Sequence, residues 1–174
     1  MTSRRQPTSA PTAFSTSSAG DAARFRFSGT AGQNLTIGLT GVAYGGTRGS
    51  STSVYVYRPD RTQVGSGTTC TPTIASGTCK VTLTNLPTTG TYSIAVIPPG
   101  VVTVNGNINV SDDLTGTLTQ GSPAVLDASR AGQAARFTFS GTAGESTSVK
   151  LHGVSLAPSA GSVSPGRTST WSPT

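Results

Sequence analysis

A chain of 174 residues with 10% charged residues, 22 glycines and 11 prolines is poor in the residues that build helices and rich in Ser, Thr and Gly, and so reads as all-β. Its net charge of +6 and pI near 10 come from ten arginines and two lysines, scattered with no run longer than Arg4-Arg5. This excludes the basic stripe with interleaved aromatics that nucleic-acid binding needs, and no stretch approaches 18 consecutive apolar residues, so no helical membrane span is expected.

Residues 1–11 are polar and rich in Pro, Ser and Thr and are expected as a disordered lead-in. Two arginines without an apolar run do not make a signal peptide. A short strand is expected near Ala13 to Ser15, followed by a stretch that the chain contains twice. AGDAARFRFSGTAG at Ala19 to Gly32 returns as AGQAARFTFSGTAG at Ala131 to Gly144, identical at 12 of 14 positions and 112 residues on. That spacing is too long for a solenoid unit and marks two copies of a domain, the second cut short.

Within the repeat, Phe25 and Phe27 fall on one face of an extended segment and Arg24 and Arg26 on the other, the period of a half-buried strand. Ser28 to Gly32 then offers two glycines for a turn before Leu35, Ile37 and Leu39 alternate in their own strand, and the two strands are expected to form a β-hairpin. In the second copy Phe137 and Phe139 lead to a weaker return strand, with Thr147, Val149 and Leu151 at the equivalent positions.

Gly41 to Ser53 is expected as a loop. Val54 and Val56 then alternate with Tyr55 and Tyr57, and Arg58-Pro59-Asp60-Arg61 turns the chain. After a polar excursion containing Cys70, Cys79 to Thr84 is expected as a strand, with Val81 and Leu83 inward. A turn over 85–90 leads to Thr91–Ile97, where Tyr92, Ile94 and Val96 share a face. Asn105-Gly106 has the composition of a type I′ hairpin turn, with a final strand at Asn107 to Val110, and DLTGTL at Asp113 to Leu118 is expected to add another. Seven or eight short strands in roughly 100 residues are the pattern of an immunoglobulin-sized antiparallel β-sandwich, jelly-roll-like, over 12–113. A connector over 114–121, a truncated second copy over 122–163 and an irregular tail over 164–174 containing Trp171 complete the expected organisation. Cut short in this way, the second copy cannot close a sandwich core and should present a sticky edge unless it docks on the first.

The order of FRFSGTAGQNLTIGLTG at Phe25 to Gly41, VYVYRPD at Val54 to Asp60, the pair Cys70 and Cys79, LTNLPTTGTYSIAVIPP at Leu83 to Pro99 and DLTGTL resembles the β-sandwich repeats of bacterial secreted and surface proteins. It is similar to the pre-peptidase C-terminal domain, and especially to tandem copies in RHS/YD-repeat-type proteins. The family usually has glycine after the Pro-Asp pair, where this chain has Arg61. The resemblance implies a non-catalytic accessory or spacer module on an exported, extracellular or cell-surface protein, with other domains of a parent protein or cell-surface polymers as partners and no cofactor.

The candidate sites divide between structure and binding. Cys70 and Cys79, the only cysteines, would close a small loop in an oxidising compartment, the alternative being two reduced, half-buried thiols. Tyr55 and Tyr57 could offer a stacking platform for a sugar ring, which makes a carbohydrate-binding module the alternative function; otherwise they cover the sheet or pack on a neighbour. Asp112 and Asp113 are the weak candidates for calcium, and too few oxygen ligands surround them in sequence to make a compact site. His152, the only histidine, has no partner in the pattern for nucleophilic catalysis and reads as a surface residue, and the dispersed acids give no glycosidase pair. No enzyme is expected. A gene fragment without independent function is the remaining alternative.

Overall fold

The computed structural model describes residues 2–4, 10–45, 51–70, 77–130 and 132–155. Most of the lead-in and the tail with Trp171 lie outside these residues. The strands among them are β1 (Thr2–Arg4), β2 (Thr12–Ser15), β3 (Ala23–Gly29), β4 (Leu35–Gly45), β5 (Thr52–Tyr57), β6 (Thr68–Cys70), β7 (Gly77–Leu83), β8 (Gly90–Ile97), β9 (Thr103–Asp112), β10 (Leu114–Leu118) and β11 (Ala135–Phe139). They form a five-stranded sheet in the order β1-β3-β8-β5-β6, a four-stranded sheet in the order β2-β9-β4-β7, and the two-stranded pair β10-β11. The fold is all-β, as the composition implies. Pairing is antiparallel except for β1 with β3 and β10 with β11, which are parallel.

The inward residues are the alternating ones. Phe25 and Phe27 of β3, Val54 and Val56 of β5, and Tyr92, Ile94 and Val96 of β8 face Leu35, Ile37 and Leu39 of β4, Leu83 of β7, and Val104 and Ile108 of β9 in one buried cluster. Phe27 stacks on Tyr92 with ring centroids 5.3 Å apart, and Phe14 meets Phe25 edge to face at 5.6 Å, geometries that add to plain area burial. The Tyr92 hydroxyl donates to the Thr88 carbonyl at 2.7 Å, so a fully buried phenol keeps its polar tip satisfied.

The repeat does not form the hairpin its turn suggests. β3 pairs with β8, while β4 lies in the opposite sheet between β9 and β7. Two strands whose apolar faces must meet each other belong on opposite sides of a core, so residues 30–34 carry the chain across the sandwich rather than back along the same sheet. That crossing is tied to the turn before β8 by Gly32 N–H to the Leu86 carbonyl (2.8 Å) and Leu86 N–H to the Gln33 carbonyl (3.0 Å). Between β3 and β9 the chain changes sheet at each connection except β5 to β6.

Four further expectations change. Asn105-Gly106 lies inside β9 and makes no turn. Opposite it, β4 carries a bulge between Thr40 and Ala43, with Gly41 at φ 60°, the left-handed conformation that glycine adopts without steric cost. The expected loop from Gly41 is strand as far as Gly45, and strand resumes at Thr52. Thr2–Arg4, within the expected disordered lead-in, is a strand beside β3. Residues 114–118 of the expected connector are β10, paired with β11.

The second copy differs most. Ala135–Phe139 forms its strand, but parallel to β10, and among the described residues neither Val125–Asp127 nor the expected return strand around Val149 and Leu151 is extended into a sheet. The chain divides into two units, Met1–Ser140 and Gly141–Thr174. In the second, Val149, Leu151 and Val154 are exposed. Among the described residues no equivalent of β8 or β9 follows to pair with the return segment, and an isolated hairpin is marginal in water.

Candidate functional site

Three places carry the residues singled out in the sequence. The first is the edge of the sandwich where β6 and β7 end their sheets. Cys70 of β6 and Cys79 of β7 are joined in a disulfide with Cα atoms 5.6 Å apart. Because β6 belongs to the five-stranded sheet and β7 to the four-stranded one, the bond staples the two layers together at one edge. Closing a loop of this size is worth about 2–3 kcal/mol in the chain-entropy picture. The Tyr44 hydroxyl braces the same edge, 2.8 Å from Thr52 Oγ1 and 3.4 Å from the Cys70 carbonyl.

The second is the tyrosine pair. Val54 and Val56 are buried, and Tyr55 and Tyr57 are half-buried on the outer face of β5. The Tyr55 ring lies against Gly67, where an added Cβ would sit 2.4 Å from its Cε1, and Tyr57 pairs with Gln63 across the following turn. Tyr55 therefore packs on a neighbouring segment, which leaves less of its ring face for a sugar. In that turn Arg61 N–H donates to the Arg58 carbonyl and Arg58 N–H to the Thr62 carbonyl, and Arg61 holds φ 71°. The backbone keeps the left-handed conformation suited to glycine although the residue is arginine. Asp60 accepts from the Thr62 hydroxyl at 2.6 Å and from its amide at 2.9 Å, and these bonds, the hydroxyl's first, hold its carboxyl below the ordinary 3.8.

The third place is the joint between the copies. The outer face of the four-stranded sheet carries Thr36 and Gly38 of β4 and Asn109 and Ser111 of β9, which are register partners. All are buried although they point away from the core. The leader of the second repeat lies over part of this face. Gly132 lies over the strand, so that a Cβ built on it would be 3.5 Å from the Gly38 Cα. Gln133 Nε2 donates to the Asp112 carbonyl at 2.9 Å. Asp113, its side chain fully enclosed, accepts from Thr36 Oγ1 at 2.6 Å and is paired with Arg136 Nε at 2.6 Å, and Arg136 Nη2 reaches Thr84 Oγ1.

This joint was not foreseen from the sequence, which marked the two aspartates for calcium. Asp113 spends one oxygen on a hydroxyl and the other on a guanidinium, and the Asp112 carboxylate accepts from Gln33 Nε2. A carboxylate already neutralised by arginine is a poor ligand for a hard cation, and among the described residues no three His, Cys, Asp or Glu side chains cluster. Two buried polar atoms, Asn109 Nδ2 and Gln133 Oε1, lack partners, so the joint is not fully satisfied and its net worth falls below the sum of its bonds. His152 is exposed, outside any strand. The repeat gives no signal for the joint, since Arg24, at the position equivalent to Arg136, is exposed, and a Thr-Gly outer face on β4 is what a solvated sheet face also shows.

The geometry is that of a two-layer β-sandwich with a disulfide between its sheets and an ion pair to the opening of a second copy. Residues 21–98 match the family model of the bacterial pre-peptidase C-terminal domain, a span running from just before β3 to just past β8. Among solved structures the chain is similar to the pre-peptidase C-terminal domain of a collagenase from Bacillus anthracis, with a TM-score of 0.40 and 11% identity over 64% of this chain and 95% of that one. It is also similar to the enzymatically active domain of tailspike protein 4 of bacteriophage CBA120, with a TM-score of 0.37 and 10% identity over 61% of this chain and 18% of that one. No curated protein matches the sequence.

Proposed function

We propose that this chain is a non-catalytic spacer module of a bacterial exported protein, built from one complete β-sandwich and the opening of a second, with the RHS/YD-repeat type as its parent and other domains of that parent or cell-surface polymers as its neighbours. The observation that carries the reading is the joint. The pair between the enclosed Asp113 and the partly exposed Arg136 ties the opening strand of the second copy to the end of the first, so the link between them is held by more than the chain alone. The sheet-to-sheet disulfide supports the same reading, since such bonds persist in oxidising compartments. The match of residues 21–98 to an accessory-domain family supports it further.

The test is display of the chain on a bacterial surface between an anchor and an epitope. Capture of the epitope by large beads is expected to rise as much as with an unrelated sandwich of equal length, with Tyr55→Ala changing nothing. Binding to polysaccharide-coated beads that Tyr55→Ala abolishes would replace the spacer by a carbohydrate-binding module. In parallel, Cys70→Ser should lower the melting temperature under oxidising conditions and leave it unchanged under reducing ones; equal melting of wild type in both would remove the disulfide from the account.

A further inference from the structure

The two copies of the repeat supply an internal template for what β11 lacks. In the first copy β3 is paired on both sides, with β1 in parallel and β8 in antiparallel. In the second, β11 is paired in parallel with β10, and β10 starts 112 residues after β1. β10 thus occupies the place of β1, one residue out of register, since Arg24 faces Thr2 whereas Arg136 faces Thr115. Among the described residues no strand occupies the place of β8.

The side chains report the same difference. Phe27 is 1% exposed and stacked on Tyr92 of β8, while Phe139, its equivalent, is 52% exposed. An open strand edge flanked by an uncovered aromatic is the geometry that takes up another strand, the main chain supplying affinity and alternate side chains supplying selection.

We propose that the open edge of β11 is an acceptor for one extended antiparallel strand of the β8 pattern, with Tyr, Ile and Val alternating on the face that meets Phe137 and Phe139 and small residues between them. The occupant is specified by the first copy. Transposing its register places Val96, Ile94 and Tyr92 of such a strand opposite Ala135, Phe137 and Phe139, and Ala95 and Ser93 opposite Arg136 and Thr138. The identity of the repeat at 12 of 14 positions means that β11 offers nearly the surface that β3 offers. The one change within the strand, Arg26 to Thr138, falls on the outward face opposite a serine and leaves the apolar match intact. A one-residue shift of the incoming strand would turn its Tyr-Ile-Val face away from the phenylalanines, so register is selected strongly.

The full chain, titrated with a fluorescent peptide of the Gly90–Ile97 sequence flanked by lysines, is expected to bind saturably and to gain hydrogen-exchange protection at Ala135–Phe139. An Ile94→Asp version of the peptide should bind at least tenfold more weakly. Phe139→Asp in the chain, at an exposed site that leaves the first copy folded, should cost a similar factor. Three results would overturn the proposal: no saturable binding, protection appearing at Ala23–Gly29 instead, or concentration-dependent dimers protected at β11 that the peptide does not dissociate. Each of these leaves the spacer reading standing, because that reading rests on the Asp113–Arg136 joint and not on the open edge.

Discussion

The two repeats have the same local structure and different fates. Gly20 and Gly132 have φ of 80° and 77°, Gly32 and Gly144 of 83° and 87°. Asp21 N–H bonds the Ser18 carbonyl as Gln133 N–H bonds that of Arg130, and Gln33 N–H bonds Thr30 as Glu145 N–H bonds Thr142, all at 3.0–3.2 Å. Between these matching turns one strand is sealed into a core and the other is half open. The turns follow from the residues within them, whereas burial follows from whether distant strands arrive to cover the phenylalanines.

That contrast is most sharply broken or upheld at the second phenylalanine. Phe27→Ala should cost about 3–5 kcal/mol in urea unfolding, and Phe139→Ala no more than about 0.5 kcal/mol; similar losses would mean that β11 is buried in solution. The arginines come next. Arg24 is exposed, so Arg24→Met should be close to neutral. Arg136→Met strands the enclosed Asp113 carboxylate and should cost about 1–3 kcal/mol, less than for a fully buried pair because Arg136 is 36% exposed. It should also speed hydrogen exchange over β11.

Smaller effects separate the first copy from the second. Arg61→Gly relieves a left-handed non-glycine residue and is expected to stabilise the sandwich by about 0.5–1 kcal/mol without altering exchange in β11, as thermal melts and exchange on the same sample would measure. The smallest concerns Asp60. Its folded carboxyl titrates below 3.8 because Thr62 bonds its charged form, so its contribution to stability is present above the unfolded value and is lost as pH falls through the lowered folded one. Thr62→Val should move the Asp60 titration, followed by carboxyl chemical shift, back up towards 3.8; an unmoved midpoint would remove the hydroxyl as the cause.

Much of the first copy was legible in the sequence. The inward sets Phe25/Phe27, Val54/Val56 and Tyr92/Ile94/Val96 follow from alternation alone, and the cysteine pair was expected from spacing and composition. The joint was less accessible, because Asp113 and Arg136 are 23 positions apart and nothing local pairs them. Asn105-Gly106 misled for a related reason: its composition suits a tight turn, but a bulge at Gly41 on the neighbouring strand leaves it inside a continuous ladder.

The sequence by itself determined an all-β chain, the inward residues of β3, β4, β5 and β8, and that it holds two copies of one motif. Those are properties of a few adjacent residues, since side-chain period and turn chemistry act over short range. Only the tertiary structure decided that β3 and β4 lie in opposite sheets, that the cysteines join the layers, and that the second repeat lies across the first copy's outer face by an arginine on a buried aspartate. Alternation tells a strand which face to bury, but a ladder edge accepts any partner of suitable register, and the choice among distant partners is made by the burial they achieve together.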